Sequence, residues 1–229
     1  FANFHFMSCG IYDLEDCFNI TITENNIMRN DGGIILRGYN NTISLNNIAD
    51  NFDNAIRLHN GGNVIQNNIT GQQGYGVYLD GSSCIISSNN IMSNLAPSIC
   101  VFGSYHNITL NNMIGSGRPD ENIFNTNHIG IALYSTNCTV TLNNFIELGE
   151  YAISANYAAN NTIVHNNFIN NPKELWNFYG RSINTWDDGY PSGGNYWSDY
   201  NGTDDDGDGI GDTPYVLDAN NTDWYPLMS

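Results

Sequence analysis

The residues with the clearest chemical spacing are five aspartates within nine positions, Asp204-Asp205-Asp206-Gly207-Asp208-Gly209-Ile210-Gly211-Asp212. Oxygen ligands at positions 1, 3 and 5, a glycine at 6, a backbone carbonyl at 7 and another ligand at 9 open a calcium loop. Those places fall on Asp204, Asp206, Asp208, Gly209, Ile210 and Asp212. Position 12 holds Tyr215 instead of the bidentate glutamate, so a closing carboxylate has to come from outside the loop. Asp199, Asp218 and Asp223 are the candidates. Carboxylates this close repel one another without a cation, so Ca2+ is expected over a merely solvated acidic turn. Loops of this kind in extracellular modules bind Ca2+ near millimolar, which points to the cell exterior.

Elsewhere the chemistry is thinner. Arg57, His59 and Tyr78, with Arg37 nearby, form a candidate patch for holding and deprotonating a uronate, although side chains on an exposed ladder explain them better. Six basic residues in the whole chain are few for an anionic polymer. A hydrolase needs two carboxylates facing across a cleft, and the nearest pairs, Asp50 with Asp53 and Asp187 with Asp188, carry no partner signature. No nucleophile elbow, phosphate loop or nucleotide fingerprint is present. The five cysteines show no C-x-x-C spacing and read as small buried hydrophobes.

What positions these residues is a repeat. Asparagine pairs beginning at Asn25, Asn46, Asn67, Asn89, Asn111, Asn143 and Asn166 stand 21, 21, 22, 22, 32 and 23 residues apart. Three residues before each pair lies Ile or Val, and directly after it lies Ile27, Ile48, Ile69, Ile91, Met113, Phe145 or Phe168. A small residue followed by an apolar one comes later, as in Gly33-Ile34 and Ala152-Ile153. Short β-branched segments with one apolar ladder each, repeated every 21–23 residues, are the arithmetic of a single-stranded parallel β-helix. The fold class expected is therefore all-β, a solenoid over 1–172 with an irregular aromatic-rich cap over 173–229. The asparagines are expected at the bends, where Asn tolerates a left-handed backbone and stacked amides bond in a ladder. A second asparagine column is expected at Asn30, Asn51, Asn94 and Asn171.

The 32-residue interval marks an insert near 115–125, whose Arg118, Asp120 and Glu121 make it a candidate binding loop. Eight N-x-[ST] sequons begin at Asn19, Asn40, Asn68, Asn107, Asn137, Asn160, Asn201 and Asn220, and permit glycosylation of an exported chain. All four tryptophans and eleven of the 23 acids lie after Pro172. An aromatic tail folded over the last coil would cover its open end.

The tail from Gly189 to Asp218, followed by Asp223-Trp224-Tyr225-Pro226-Leu227, resembles the end of NosD-like proteins, and the Asn-Asn-Ile coils resemble the repeats before it. Similarity to that family, abundant among archaeal surface and secreted proteins, implies a right-handed coil, export and polysaccharide contact. Its copper-maturation role does not carry over, because the methionines are scattered and one, Met113, sits in a core column.

A formal charge of −17 with only 13% charged residues argues against nucleic acid and anionic membrane as partners. No apolar run reaches the ~18 residues of a membrane span. The chain opens on Phe1 without a signal peptide, which reads as a processed product or a piece of something longer. Its first coil shows no polar cap, so either upstream chain or end-to-end self-association is expected there. Three functional classes follow: a non-catalytic extracellular or cell-surface module with a Ca2+-stabilised cap, a carbohydrate-binding or adhesin module, and a polysaccharide lyase, hydrolase or epimerase. The first is expected.

Overall fold

The computed structural model describes residues 3–4, 8–13, 17–115, 129–177 and 180–228. Within them the chain winds as a parallel β-solenoid with three sheets of nine, eight and seven strands, here sheets 1, 2 and 3. A two-stranded antiparallel sheet, Tyr215–Asp218 with Asn221–Asp223, stands apart at the C-terminal end. No helix among the described residues is long and apolar enough to cross a membrane.

The strands are as short as the repeat demands. Sheet 1 is built from triplets such as Asn47–Ala49 and Asn112–Ile114, and only the central residue of each points inward. Neighbouring coils stack in register, Asn68 on Asn47 and Asn90, Ile69 on Ile48 and Ile91. One apolar column thus runs through Ile27, Ile48, Ile69, Ile91, Met113, Phe145 and Phe168, each fully buried. No triplet could bury its single apolar side chain alone; stacking on the coils above and below does so. The small residue before each sheet 2 strand is a steric need. A Cβ at Gly33 would lie 2.1 Å from the carbonyl oxygen of Ala55 in the next coil.

From Asn46 onward the first asparagine of each pair is buried, and its side chain works along the axis. Asn111 Oδ1 accepts from the Asn89 amide at 3.0 Å and from Asn89 Nδ2 at 2.9 Å. Its own Nδ2 donates to Ile86 O, Thr109 O and Asn143 Oδ1 at 2.9–3.1 Å. The same pattern links Asn46, Asn67, Asn89, Asn111, Asn143, Asn166 and Asn195. The left-handed backbone expected of these asparagines belongs instead to the residue before each pair, including Leu45, Leu110 and Leu142 with φ of 57–60°. That corner residue turns its side chain to solvent and absorbs the bend, which frees asparagine to enter the core as a donor and acceptor. The second column also forms, Asn30 to Asn51 to Gln72 to Asn94, with a glutamine filling the place of an asparagine.

Sequence periodicity fades after Pro172, yet the ladders run on. Leu175–Asn177 adds the last strand of sheet 2, Tyr196–Trp197 the last of sheet 1, and Thr185 bridges to Thr162 of sheet 3. Backbone pairing and single residues such as Asn195 hold this final turn, so no repeat is needed to write it.

Candidate functional site

The acidic loop hangs on the end of the solenoid. Thr203 O accepts from the Asp212 amide at 2.8 Å and closes its base. Its exit is pinned to the C-terminal segment, where Met228 N donates to Gly209 O at 2.9 Å and Gly211 N to Pro226 O at 2.8 Å. Neither bond uses the Ile210 carbonyl, the backbone ligand expected at position 7. Gly207 and Gly209 take φ of 74° and 88°, so each position favours glycine. Within the loop Asp204 Oδ1 accepts from Gly207 N and Asp208 N, and its Oδ2 from Gly209 N, at 2.7–3.1 Å.

Carboxylate oxygens of Asp204, Asp206 and Asp208 lie within 4.8 Å of one another. Two ligands of one Ca2+ stand ~2.4 Å from the ion, hence no more than ~5 Å apart, so the three fit a common hard cation. Asp212 does not join them: its Oδ2 accepts from the Asp205 amide at 2.8 Å at the base of the loop. Slight desolvation acts to raise Asp204, and the amides of Gly209, Gly207 and Asp208 outweigh it, holding this carboxyl below its usual range. For Asp206 the Asp208 amide acts to lower the pKa, but the carboxylates of Asp208, Asp204 and Asp212 together with slight desolvation push it up. Crowding of this kind is relieved by a bound cation.

The three proposed closing carboxylates are committed elsewhere. Asp199 accepts from the Tyr215 hydroxyl at 3.0 Å. Asp218 takes Asn177 Nδ2, Asn221 Nδ2 and the Asn220 amide at 2.7–3.0 Å. Asp223 is fully buried, and its Oδ2 accepts from both the Asn195 amide and Trp197 Nε1 at 2.8 Å. Burial pushes the Asp223 carboxyl up to about 6 against the pull of those donors.

This last contact was not foreseeable from the repeat. Asp223 accepts the bond that the next coil's asparagine would have accepted, and so terminates the ladder. Two residues earlier on the same strand, Asn221 ends the file that runs from Cys138 N through Asn161 and Asn184, accepting from Asn184 N at 3.1 Å and Trp186 Nε1 at 2.9 Å. Both indoles that plug the coil are thereby fastened to one short strand. Phe145, Phe168, Trp197 and Tyr215 stack face to face along the axis at centroid spacings of 4.7, 4.3 and 4.4 Å.

The second asparagine column ends at Asn171, whose Oδ1 accepts from Leu148 N at 3.1 Å and whose Nδ2 donates to Glu174 Oε2 at 3.2 Å. Glu174 is buried at the edge of a cavity of about 270 Å³ between sheet 2 and the hairpin, shared with Asp199, Tyr215 and Lys173. Burial, then the Asp199 carboxylate, push Glu174 up to about 8. The same two causes raise Tyr215. A carboxyl whose pKa is raised on folding binds its proton more tightly in the folded state. Its contribution is full below the unfolded value of 4.5 and is lost as pH rises through about 8. Glu174→Gln is therefore expected to stabilise the protein by on the order of 2–4 kcal/mol at pH 9 and by little at pH 5. Denaturant titrations at the two pH values check this; an equal effect at both would overturn it.

On the outer face of sheet 2, His59 Nδ1 lies 2.7 Å from Asp80 Oδ2, and the Arg57 guanidinium carbon 4.9 Å from the Tyr78 ring centre. Arg57 thus meets Tyr78, and His59 meets Asp80, a partner that the sequence reading passed over. Arg37 stands one coil away and two residues beyond Ile35, the register partner of Arg57. Asp187 accepts from Gly189 N and from Trp224 N of the closing segment, and Asp188 from Ser192 Oγ. All eight sequon asparagines are exposed. Arg118, Asp120 and Glu121 lie outside the described residues. Cys84, Cys100 and Cys138 are buried, and none of the five cysteines is in a disulfide.

No curated protein matches the chain. A family model described as a right handed beta helix region matches residues 2–114 and 32–195. Those spans cover the asparagine ladders, the apolar columns and the first of the two tryptophans that close them. With the match running over 194 of the 229 residues (2 to 195), the chain belongs to the right-handed beta helix family.

Proposed function

We propose that this chain is a non-catalytic, exported structural module, a rod whose C-terminal end is braced by Ca2+. The observation that carries the reading is the convergence of the Asp204, Asp206 and Asp208 carboxylates on a loop pinned to the closing segment. Those three would hold the ion, with the Ile210 carbonyl as a fourth ligand, and the ion would neutralise their mutual repulsion. Millimolar affinity suits the cell exterior, as do the eight exposed sequons and the resemblance of the tail to NosD-like surface proteins. Calorimetric titration is expected to give one Ca2+ site of roughly 0.1–1 mM. An Asp206→Ala/Asp208→Ala variant is expected to lose that signal and the accompanying rise in melting temperature. Full retention of the signal would sink the reading.

A second reading, a polysaccharide lyase or epimerase, is favoured by the His59–Asp80 contact beside Arg57. In it Asp80 orients His59 as a base and Arg57 holds a substrate carboxylate. Incubation with uronate polymers, followed for unsaturated or epimerised product, removes this reading when the polymer is unchanged.

A further inference from the structure

We propose that His165, Asp188 and Ser192 form a site for a divalent transition metal of the Zn2+ type, clamping the last asparagine-pair coil to the cap. Ser192 Oγ lies 3.0 Å from Asp188 Oδ2 and 3.4 Å from His165 Nε2, and those two atoms are 3.8 Å apart. Two ligands of one tetrahedral Zn2+, each ~2.0–2.2 Å from the ion, stand about 3.4 Å from one another. The three separations bracket that value. The donors thus occupy one face of a tetrahedron and leave the fourth position to water.

Backbone bonds fix each donor. His165 is the corner residue before the Asn166-Asn167 pair, and its φ of 56° turns the imidazole out of the coil. Its amide donates to Gly194 O at 2.7 Å, which ties that corner to the cap. Asp188 and Ser192 belong to a turn closed twice, by Asp188 N to Gly193 O at 2.8 Å and by Gly193 N to Gly189 O at 2.9 Å. Neighbouring Asp187 is taken up by the Gly189 and Trp224 amides. Donors held in this way lose little freedom on binding an ion.

Chemistry selects the ion. One imidazole nitrogen beside two oxygens suits Zn2+ over Ca2+ and Mg2+, which take oxygen ligands. A hydrolytic triad is the other use of Ser, His and Asp, and the geometry is wrong for it. Asp188 bonds the Ser192 hydroxyl and lies on the Nε2 side of His165, whereas a triad needs the carboxylate on Nδ1. The His59–Asp80 pair, at 2.7 Å, is spaced as a hydrogen bond and is too close for two ligands of one Zn2+. The site does not rest on the Ca2+ reading, since none of its residues belongs to the acidic loop.

Calorimetry of the full chain with zinc chloride tests it, in saturating Ca2+ and again on the Asp206→Ala/Asp208→Ala variant, so that the acidic loop cannot take the ion. One Zn2+ per chain is expected in both, with a rise in melting temperature. Loss of an outer partner of a metal ligand costs roughly 10–100-fold in affinity, and loss of a ligand costs no less. His165→Gln and Asp188→Asn are each expected to weaken binding by at least that much. Both should fold, because Gln66 already holds the equivalent corner at a φ of 56° and asparagine keeps an acceptor for Ser192. His59→Gln should bind Zn2+ as the parent does. Ser192→Cys, which offers a thiolate in place of the hydroxyl, should tighten binding and give the Co2+ complex a thiolate-to-metal absorption band. No Zn2+ binding, undiminished binding by either His165→Gln or Asp188→Asn, loss of binding in His59→Gln, or a Ser192→Cys Co2+ complex without that band would each overturn the proposal.

Discussion

Replacing Asn111 by aspartate is expected to destabilise the coil by on the order of 4 kcal/mol, although the two side chains have nearly the same shape. Asn111 is fully buried, and its Nδ2 donates to two backbone carbonyls and to Asn143 Oδ1. Aspartate has no hydrogen to give. It would set a carboxylate oxygen against three acceptors in a fully buried site, and protonation would restore only one of the three bonds. Asn112, its neighbour, points outward and accepts from Asn144 Nδ2, a role aspartate keeps. Asn112→Asp is accordingly expected to cost under about 1 kcal/mol. Urea titration of the two variants separates a ladder that holds the core from one that merely decorates it. Equal losses would refute the assignment.

Trp197→Ala is expected to undo the closed end. The indole lies between Phe168 at 4.3 Å and Tyr215 at 4.4 Å, is 1% exposed, and supplies one of the two donors to Asp223 Oδ2. Losing that volume costs about 3–5 kcal/mol, and a buried carboxyl is left short of a partner besides. The damage should be local. Amide exchange from residue 196 onward is expected to become fast while the coils between Asn46 and Asn143 keep their protection. Uniform acceleration along the chain would mean that the cap and coils unfold as one unit, contrary to this expectation.

The sequence made the coil legible because a solenoid writes the same instruction at each turn. The pitch, the apolar columns, the stacked asparagine pairs and the acidic loop all show in spacing alone. The left-handed corner was misplaced by one residue, since propensity points to asparagine whereas burial needs it inside and assigns the bend to Leu45 or Leu110. Gln72 was passed over because it differs in type from the asparagines whose bonds it makes. Asp223 and Asn221 could not be found by periodicity, because a terminator occurs once.

The bonds from one buried asparagine to the next all run one way. Each amide donates to the side-chain oxygen of the next coil, and Asp223, which only accepts, receives the last. Each coil from Asn46 to Asn166 therefore gives and takes the same pair of bonds, including across the 32-residue interval, where Asn111 and Asn143 meet at 2.9 Å as other neighbours do. A whole coil could be duplicated or deleted between them and the two new neighbours would still match. Rod length is thus free to drift by gene duplication at little energetic cost, while the terminating strand can be neither copied inward nor lost.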